Sequence, residues 1–216
     1  MRKKLKDYRH AVWDWNGTLL DDTWLCCEAL NQLLSAEKKP KLETERYRMI
    51  FEFPAIKVYE KLGFPITRGN FEALSARFMD AYENQKSKCV LHSQSIEILT
   101  RLTDHGLSHS ILSAYEHRLL EQTLTDQGVA HHFVKISGSG DIYAGSKEER
   151  ARAHLEDLEH EPDEVVYIGD TAHDLDAARA MGADCILIAH GYQHRDNLEG
   201  LGARVVDNFE ELLKEV

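Results

Sequence analysis

The sequence predicts an α/β fold in which a doubly wound parallel sheet carries an inserted, all-helical region. A short apolar run at residues 10–14 stops at Asn16-Gly17, which is how a buried strand ends at a turn. Helical patterns without a convincing strand then extend from about residue 20 to 92, and helix and strand patterns alternate after residue 92. Such alternation is typical of a Rossmann-like parallel sheet with helices on both faces.

The elements after residue 92 follow this alternation in order. Three apolar residues, Ile96, Leu99 and Leu102, mark a helix at about 94–104. The remaining elements are predicted as a strand ending at "SILSA" (110–114), a helix at 115–127, the strand "HFVKIS" (132–137), a charged helix at 147–158, the strand "VVYIGD" (165–170), a helix at 174–181, the strand "CILIAHG" (185–191), the strand "RVV" (204–206) and a final helix. The segment "GSG" (138–140) opens no evident helix, and a turn is expected there.

The inserted region is predicted to be a separate helical domain. Its clearest helix, at 70–86, has these apolar residues on one face: Phe71, Leu74, Phe78 and Tyr82. Three prolines divide the rest of the region into short helices: Pro40, Pro54 and Pro65. We therefore expect a Rossmann-like core domain from residues 1–19 and 93–216, and a helical cap domain from residues 20–92.

The composition excludes several functional classes. The 216 residues contain no apolar stretch that could span a membrane, and a net charge of -11 disfavours a protein that holds nucleic acid on a basic face. An anionic substrate would meet the same negative charge, so a divalent cation is expected beside it. The four cysteines lack a Cys-x-x-Cys spacing, and the basic N-terminus lacks a signal-peptide pattern, so reduced thiols and a cytoplasmic location are expected. Nothing indicates the oligomeric state.

Polar and reactive side chains stand at four strand or helix ends. Asp14 ends the first strand, Ser113 ends a second, Lys147 opens a helix, and "GDTAHD" (169–174) follows a third strand. Each alone has a simpler explanation as a turn former, a helix cap or a surface charge. Loops at the carboxyl ends of strands in a doubly wound sheet converge on one crevice, however, and this joint placement favours a functional site.

These motifs resemble those of the haloacid dehalogenase-like hydrolases, in particular the phosphoglycolate-phosphatase-like branch with a helical cap after the first motif. "DWNGT" (14–18) is similar to the first motif of the family, and Ser113 in "ILSA" stands where the second motif has Ser or Thr. Lys147 lies at the third-motif position, and "IGDTAHDLDAARAMGA" (168–183) is similar to the fourth motif. The resemblance covers essentially the whole chain.

The resemblance implies a hydrolase that acts on a small phosphorylated metabolite, with phosphoglycolate-like compounds among the expected substrates. Asp14 would be the nucleophile that forms an aspartyl-phosphate. The implied Mg²⁺ ligands are Asp14, the backbone carbonyl of Asn16, and Asp170, with Asp174 beside them or bonded to Lys147. Lys147 would offset the negative charge, while Ser113 would donate a hydrogen bond to the phosphoryl oxygens. Gly17 and Thr18 would shape or support the phosphate-binding loop.

Asn16 departs from the family pattern, in which an Asp at this position protonates the leaving group and then activates water. An amide can do neither, and general acid–base catalysis typically contributes about 10²–10⁴-fold in rate. One explanation is a phosphatase that is slow, uses good leaving groups, or borrows an acid from the substrate or cap. A second is hydrolysis of a carbon–phosphorus bond, as in phosphonoacetaldehyde hydrolases, with a cap lysine such as Lys57 or Lys61. A third is a non-catalytic protein that binds phosphate or a partner.

Further candidates lie in the cap and among the histidines. Glu52 and Phe53 in the loop "FEFPAIKVYEKLGFP" (51–65) are candidate substrate contacts, and Glu52 is a candidate substitute acid. Conversion of Asn16-Gly17 to Asp or isoaspartate by deamidation is a further hypothesis. The paired histidines lack a clear metal-ligand pattern, but His173 within the fourth motif is expected near the metal site.

Overall fold

A six-stranded parallel sheet forms the centre of the computed structural model, which describes residues 3–140 and 147–216. In chain order its strands are His10–Trp13 (β1), Ser108–Glu116 (β4), Lys135–Ser139 (β5), Val165–Gly169 (β6), Asp184–Ile188 (β7) and Arg204–Val206 (β8). Their spatial order in the sheet is β5-β4-β1-β6-β7-β8. A separate antiparallel pair is formed by Leu20–Asp21 (β2) and Val90–Leu91 (β3).

The helices divide into two groups along the chain. Those between β2 and β3 are Thr23–Ala36 (α1), Thr44–Ile50 (α2), Ile56–Lys61 (α3) and Arg68–Glu83 (α4). Those after β3 are Ser95–Asp104 (α5), His117–Asp126 (α6), Glu148–Glu156 (α7), Ala172–Met181 (α8), Arg195–Leu198 (α9) and Phe209–Leu213 (α10). No helix within the described ranges has the length and apolar character that a membrane span requires.

The central strand β1 is buried on both faces, as expected for the middle of a parallel sheet. Trp13 packs on one face with Phe209 of α10, and Val12 packs on the other with Ala151 of α7 and Ala178 of α8. Alternate residues of one strand therefore anchor helices on opposite sides of the sheet. This arrangement confirms the predicted doubly wound α/β fold.

The inserted helical region returns to the core through the β2–β3 pair. Leu20 pairs with Leu91, so the two ends of the region lie side by side. The sequence predicts no strand between residues 20 and 92, and this is wrong at both ends, because two-residue strands are too short to give a periodic pattern. We propose that 20–92 is the cap domain and that 1–19 with 93–216 is the core domain.

The turn predicted at "GSG" is also wrong, because Gly138 and Ser139 lie in strand β5. A Cβ atom on Gly138 would lie 2.5 Å from the Cα of His117 and 2.8 Å from the carbonyl oxygen of Tyr115. Glycine is needed there because the backbone of the β4–α6 junction approaches the strand closely. The signal that suggested a turn therefore marks a close backbone contact.

Candidate active site

Two acidic residues follow the central strands of the sheet. Asp14 comes directly after β1, and its backbone N–H donates to the carbonyl oxygen of Ile168 in β6 at 2.9 Å. Asp170 comes directly after β6, and Asp174 lies in the first turn of α8. One carboxylate oxygen from each of Asp14, Asp170 and Asp174 lies within 4.8 Å of the others, and all three residues are buried. The structure thus brings together three of the residues that the sequence nominates.

Lys147 completes this group, which we call the acid–lysine cluster (Asp14, Asp170, Asp174 and Lys147). The buried Lys147 Nζ donates to Asp14 Oδ1 at 2.6 Å and to Asp174 Oδ1 at 2.8 Å. The other oxygen of Asp174 accepts from the backbone N–H and the hydroxyl of Thr171 at 2.9 and 2.7 Å. Asp174 therefore positions both Lys147 and the start of α8.

Asp170 is held from the opposite side by the first-motif loop. Thr18 Oγ1 donates to Asp170 Oδ1 at 2.7 Å, and the backbone N–H of Tyr192 donates to Oδ2 at 2.6 Å. A Cβ atom added to Gly17 would lie 2.4 Å from Asp170 Oδ2, and one added to Gly191 would lie 2.1 Å from the same oxygen. Gly17 also has a φ of +78°. Both glycines are required because the backbone passes directly over the carboxylate. Gly17 and Thr18 thus support Asp170.

The charge balance of the acid–lysine cluster fits a divalent cation. When all three buried carboxylates are ionised, they face one ammonium, which leaves an excess of two negative charges. Burial, followed by the charge of Asp174, raises the pKa of Asp14 to about 7 despite Lys147. Burial and then Asp174 raise the pKa of Asp170 as well. Carboxylate oxygens are preferred ligands of Mg²⁺, so the donor set and the unbalanced charge both suit that ion.

Charge within the cluster also sets the protonation of its other two members. Burial alone would lower the pKa of Lys147, but Asp14 and Asp174 raise it overall. Burial alone would raise the pKa of Asp174, but Lys147 lowers it overall. Lys147 and Asp174 therefore form a charged pair, in which each partner stabilises the ionised form of the other.

Ser113 does not end its strand, as the sequence predicts, but lies inside β4. The register of β4 against β5 shifts between Leu112 and Glu116, and this irregularity lets the strand continue past the site. Ser113 Oγ accepts from the backbone N–H of Tyr115 at 3.1 Å, and its carbonyl oxygen accepts from Arg150 at 2.7 Å. A hydroxyl that accepts in this way can still donate its own hydrogen.

Asn16 belongs to a second buried group, which we call the hydroxyl cluster (Asn16, Asp22, Tyr82 and Tyr192). Asn16 Nδ2 donates to Asp22 Oδ2 at 2.8 Å and to the Tyr82 hydroxyl at 2.9 Å. The hydroxyls of Tyr82 and Tyr192 donate to Asp22 Oδ2 at 2.6 and 2.7 Å, and the Gly17 N–H donates to Oδ1 at 2.9 Å. These contacts hold the amide nitrogen of Asn16 within the hydroxyl cluster.

Sequence reasoning missed three members of the hydroxyl cluster. Asp22 is fully buried and lies six positions after Asn16 in "NGTLLDD". The sequence therefore contains one signal for this cluster, an acid close to the amide that replaces the family's Asp. Tyr82 comes from α4 in the cap, and Tyr192 follows β7. Their approach to Asp22 depends on how the cap packs on the core, which no local pattern indicates.

The cap loop places Glu52 between two lysines. Glu52 forms ion pairs with Lys61 at 2.6 Å and with Lys57 at 3.2 Å. The hydrogen bond from Lys61, followed by that from Lys57, lowers the pKa of Glu52. Glu52 is therefore ionised near neutral pH, which disfavours the hypothesis that it acts as a substitute acid.

His173 connects the cap loop to the acid–lysine cluster. Its Nε2 accepts from the backbone N–H of Lys147 at 3.1 Å, and the centroid of its ring lies 4.4 Å from that of Phe53. Burial, followed by the charge of Lys147, lowers the pKa of His173 to about 4. A neutral imidazole is consistent with its role as an acceptor for the Lys147 N–H.

The comparison with known families agrees with this geometry. A family model described as haloacid dehalogenase-like hydrolase matches residues 11–188, which is most of the chain. The chain belongs to the haloacid dehalogenase-like hydrolases. The resemblance inferred from the first and fourth motifs is thereby confirmed, and with it the predicted class of hydrolase.

Curated relatives and solved structures match nearly the whole chain. Phosphoglycolate phosphatase 1 from Pseudomonas aeruginosa is 25% identical over 214 residues, covering 95% of this chain and 78% of that protein. A haloacid dehalogenase-like family hydrolase from Streptococcus pneumoniae superposes with a TM-score of 0.77 at 18% identity, covering 97% of this chain and 99% of that one. A hydrolase from Pseudomonas syringae superposes with a TM-score of 0.73 at 25% identity, covering 95% and 96% of the two chains.

Proposed function

We propose that the protein is a Mg²⁺-dependent phosphatase that hydrolyses a small phosphorylated metabolite through an aspartyl-phosphate on Asp14. The observation that carries this proposal is the acid–lysine cluster, in which a buried Lys147 ammonium lies between Asp14 and Asp174, with Asp170 close by. A nucleophilic carboxylate beside an excess of negative charge suits a reaction in which a cation and an anionic phosphate enter together. The similarity to phosphoglycolate phosphatase 1 from Pseudomonas aeruginosa supports the same reaction class.

Each residue of the cluster has a separate task in this reaction. Asp14 attacks phosphorus, and Lys147 holds Asp14 in place while offsetting charge on the phosphoryl oxygens. Ser113 donates its hydroxyl hydrogen to a phosphoryl oxygen. A Mg²⁺ ion bound by Asp14, Asp170 and the backbone carbonyl of Asn16, with Asp174 beside them, would reduce repulsion between the carboxylate and the phosphate.

Asn16 limits the range of substrates that turn over quickly. Its amide nitrogen donates to Asp22 and to the Tyr82 hydroxyl, and an amide has no proton to give to the leaving group. The leaving group must then depart as an anion or take a proton from elsewhere. We therefore expect the rate to depend steeply on the acidity of the leaving group.

The alternative functions have less support. Lys57 and Lys61, the candidates for a Schiff-base lysine, are both paired with Glu52, and neither lines the cavity beside Asn16. A protein that only binds phosphate has no need of a carboxylate held by a buried lysine at the end of β1. The Gly17 N–H donates to Leu20 and to Asp22, which disfavours its attack on the Asn16 side chain and hence deamidation.

The test is to substitute the nucleophile. Asp14→Asn should lower Mg²⁺-dependent hydrolysis of aryl phosphates by about 10⁶-fold, the loss typical of removing a nucleophile from a catalytic unit. The wild-type chain should gain a transient phosphoryl group in acid-quenched mass spectra, and the variant should not. Asp80→Asn, at an exposed position on α4, is the matched control and should keep full activity. Full Mg²⁺-dependent activity in Asp14→Asn would contradict the proposal.

A further inference from the structure

A half-open cavity of about 160 Å³ lies between the cap and the core, directly beside Asn16. On the core side it is bounded by Asn16 of the first motif and by Ala114 and Tyr115, which follow Ser113 of the second motif. The cap contributes aromatic rings, among them Tyr59 and Phe78. The cavity therefore begins where the group attached to a bound phosphate would leave the site.

The charge of this cavity disfavours an anionic substrate group. Among the described residues, no lysine, arginine or histidine lines it. Its one acidic residue, Glu116, has a carboxylate oxygen that accepts from the backbone N–H of Leu119 at 2.9 Å. The carboxylate of a glycolate-like substrate would be buried here without a positive partner, which costs free energy. A neutral, apolar group avoids that cost.

The volume of the cavity and the need for an acidic leaving group further restrict the kind of group that the substrate carries on its phosphate. An apolar cavity of about 150 Å³ is sufficient to hold benzene, so this cavity fits one aromatic ring. The pKa of a phenol is about 10. The pKa of an aliphatic alcohol is close to that of water, which is about 15.7. A phenoxide can therefore leave without the acid that Asn16 does not provide. Cavity shape and the engaged amide of Asn16 point to the same kind of molecule.

We propose that the substrate is a phosphate monoester of a neutral, single-ring phenol whose ring occupies this cavity; this proposal rests on the phosphatase function proposed above. An Asp14 oxygen forms a bond to phosphorus while the bond between phosphorus and the phenolic oxygen breaks. The electron pair leaves with that oxygen as phenoxide, which takes a proton from solvent. Water then hydrolyses the aspartyl-phosphate to inorganic phosphate and free Asp14.

The first test compares kcat/KM for four phosphates with Mg²⁺. Phenyl phosphate should exceed 4-carboxyphenyl phosphate by about 10- to 100-fold, although the two leaving groups are similarly acidic, because only the second carries a charge into the cavity. Cyclohexyl phosphate fits the same space but leaves as an alkoxide, so its kcat should fall while its KM stays similar. Phosphoglycolate should be the poorest substrate.

The second test fills the cavity. Met79 of α4 lines it, so Met79→Trp should lower kcat/KM for phenyl phosphate by about 10- to 100-fold, the loss expected when a ring can no longer be buried. Hydrolysis of acetyl phosphate, which has no ring, should fall much less than that of phenyl phosphate, and a thermal unfolding midpoint equal to that of the wild type shows that the variant is folded. Arg77→Trp, at an exposed position of α4, is the matched control and should change neither substrate.

Binding of two unreactive analogues separates the two proposals. Phenylphosphonate should inhibit acetyl phosphate hydrolysis about 10- to 100-fold more strongly than methylphosphonate. Phosphoglycolate hydrolysis equal to that of phenyl phosphate, or an unaffected Met79→Trp, would overturn the ring assignment and leave the phosphatase function intact. No hydrolysis of any phosphate, acetyl phosphate included, would overturn both proposals.

Discussion

The acid–lysine cluster and the hydroxyl cluster are both buried beside the loop at residues 16–18, but their negative charges are balanced in different ways. In the first, an ammonium pairs with two of three carboxylates. In the second, every donor to the single carboxylate of Asp22 among the described residues is neutral, namely two tyrosine hydroxyls, one amide and one backbone N–H. The first cluster is therefore incomplete without a cation, whereas the second is satisfied by the protein alone.

This difference indicates why the two clusters have different chemical roles. An uncompensated negative charge attracts a cation and, with it, a phosphate. A carboxylate that is fully hydrogen-bonded by neutral groups holds those groups in place. Asp22 thereby fixes Asn16 and the Tyr82 hydroxyl of the cap at the edge of the aromatic cavity. Asp22 is a positioning residue in this interpretation, and its effect on the reaction is exerted through Asn16.

Among the variants that compare the two clusters, the largest effect is expected from exchanging the acid and the amide between them. The double variant Asn16→Asp/Asp22→Asn restores an acid beside the leaving group and keeps the charge of the region unchanged. We expect hydrolysis of alkyl phosphates such as cyclohexyl phosphate to rise by about 10²–10⁴-fold, the usual contribution of general acid–base catalysis. A plot of log kcat against leaving-group pKa should flatten in this variant.

The single variant Asn16→Asp is the control for this exchange. It would place a second carboxylate at the position of an amide that now lies 2.8 Å from Asp22. Two carboxylates at that distance share a proton, so the gain should be smaller than in the double variant. An equal gain in both variants would show that Asp22 does not constrain residue 16.

Removing the central partner of each cluster should have unequal effects on folding. In metal-free buffer, Lys147→Met leaves two buried carboxylates without their ammonium and should lower the free energy of unfolding by about 3–5 kcal/mol. Asp22→Asn keeps most hydrogen-bonding partners and should cost about 1–3 kcal/mol. Urea denaturation with a chelator present measures both. Equal losses would mean that the two clusters do not differ in how their charge is balanced.

Added Mg²⁺ should stabilise the protein through the acid–lysine cluster alone. At a concentration of 100 times its Kd, the ion should raise the free energy of unfolding by about 2.7 kcal/mol. Thermal unfolding with and without Mg²⁺ measures this gain. Asp170→Asn should remove it, because Asp170 is a proposed ligand, whereas Asp22→Asn should retain it. The same gain in Asp170→Asn would place the ion elsewhere.

The site residues that could be predicted from the sequence are those that come directly after the end of a strand. Asp14 and Asp170 each come directly after a buried apolar strand, and the order of such strands in a doubly wound sheet brings their ends together. The predicted boundaries of the core helices also lie close to the observed ones, because apolar periodicity marks the buried face of a helix whatever that face packs against.

The hydroxyl cluster could not be predicted, because its contacts join distant parts of the chain. Tyr82 lies 60 positions from Asp22, and Tyr192 lies 170 positions from it. The apolar face at 70–86 correctly includes Tyr82, but periodicity does not indicate which polar group its hydroxyl meets. Ser113 shows a second limit of prediction from sequence. The apolar pattern of β4 ends near Ser113, but the strand continues to Glu116 through an irregularity in its register.

The smallest expected effect concerns a third buried network, on the strands away from both clusters. His10 Nε2 and His154 Nε2 lie 2.7 and 2.8 Å from the hydroxyl of Ser110, and the other ring nitrogen of His10 lies 2.6 Å from Ser108 Oγ. Burial, followed by the charge of His160, lowers the pKa of His10 to about 3 from an ordinary 6.5. The network is therefore uncharged near neutral pH, unlike the acid–lysine cluster.

Acidification should lower the free energy of unfolding, because this histidine network is uncharged in the folded protein. Below pH 6.5 the unfolded chain binds a proton at His10 while the folded chain does not, so stability is lost as the pH falls from 6.5 toward 3. Between pH 7.5 and 5.5 this loss is about 1.4 kcal/mol for one histidine. His10→Gln should reduce the measured loss by that amount in urea denaturation, and the exposed His131→Gln should not. If His10→Gln and the wild type lose stability equally, the pH dependence of folding arises from groups other than His10.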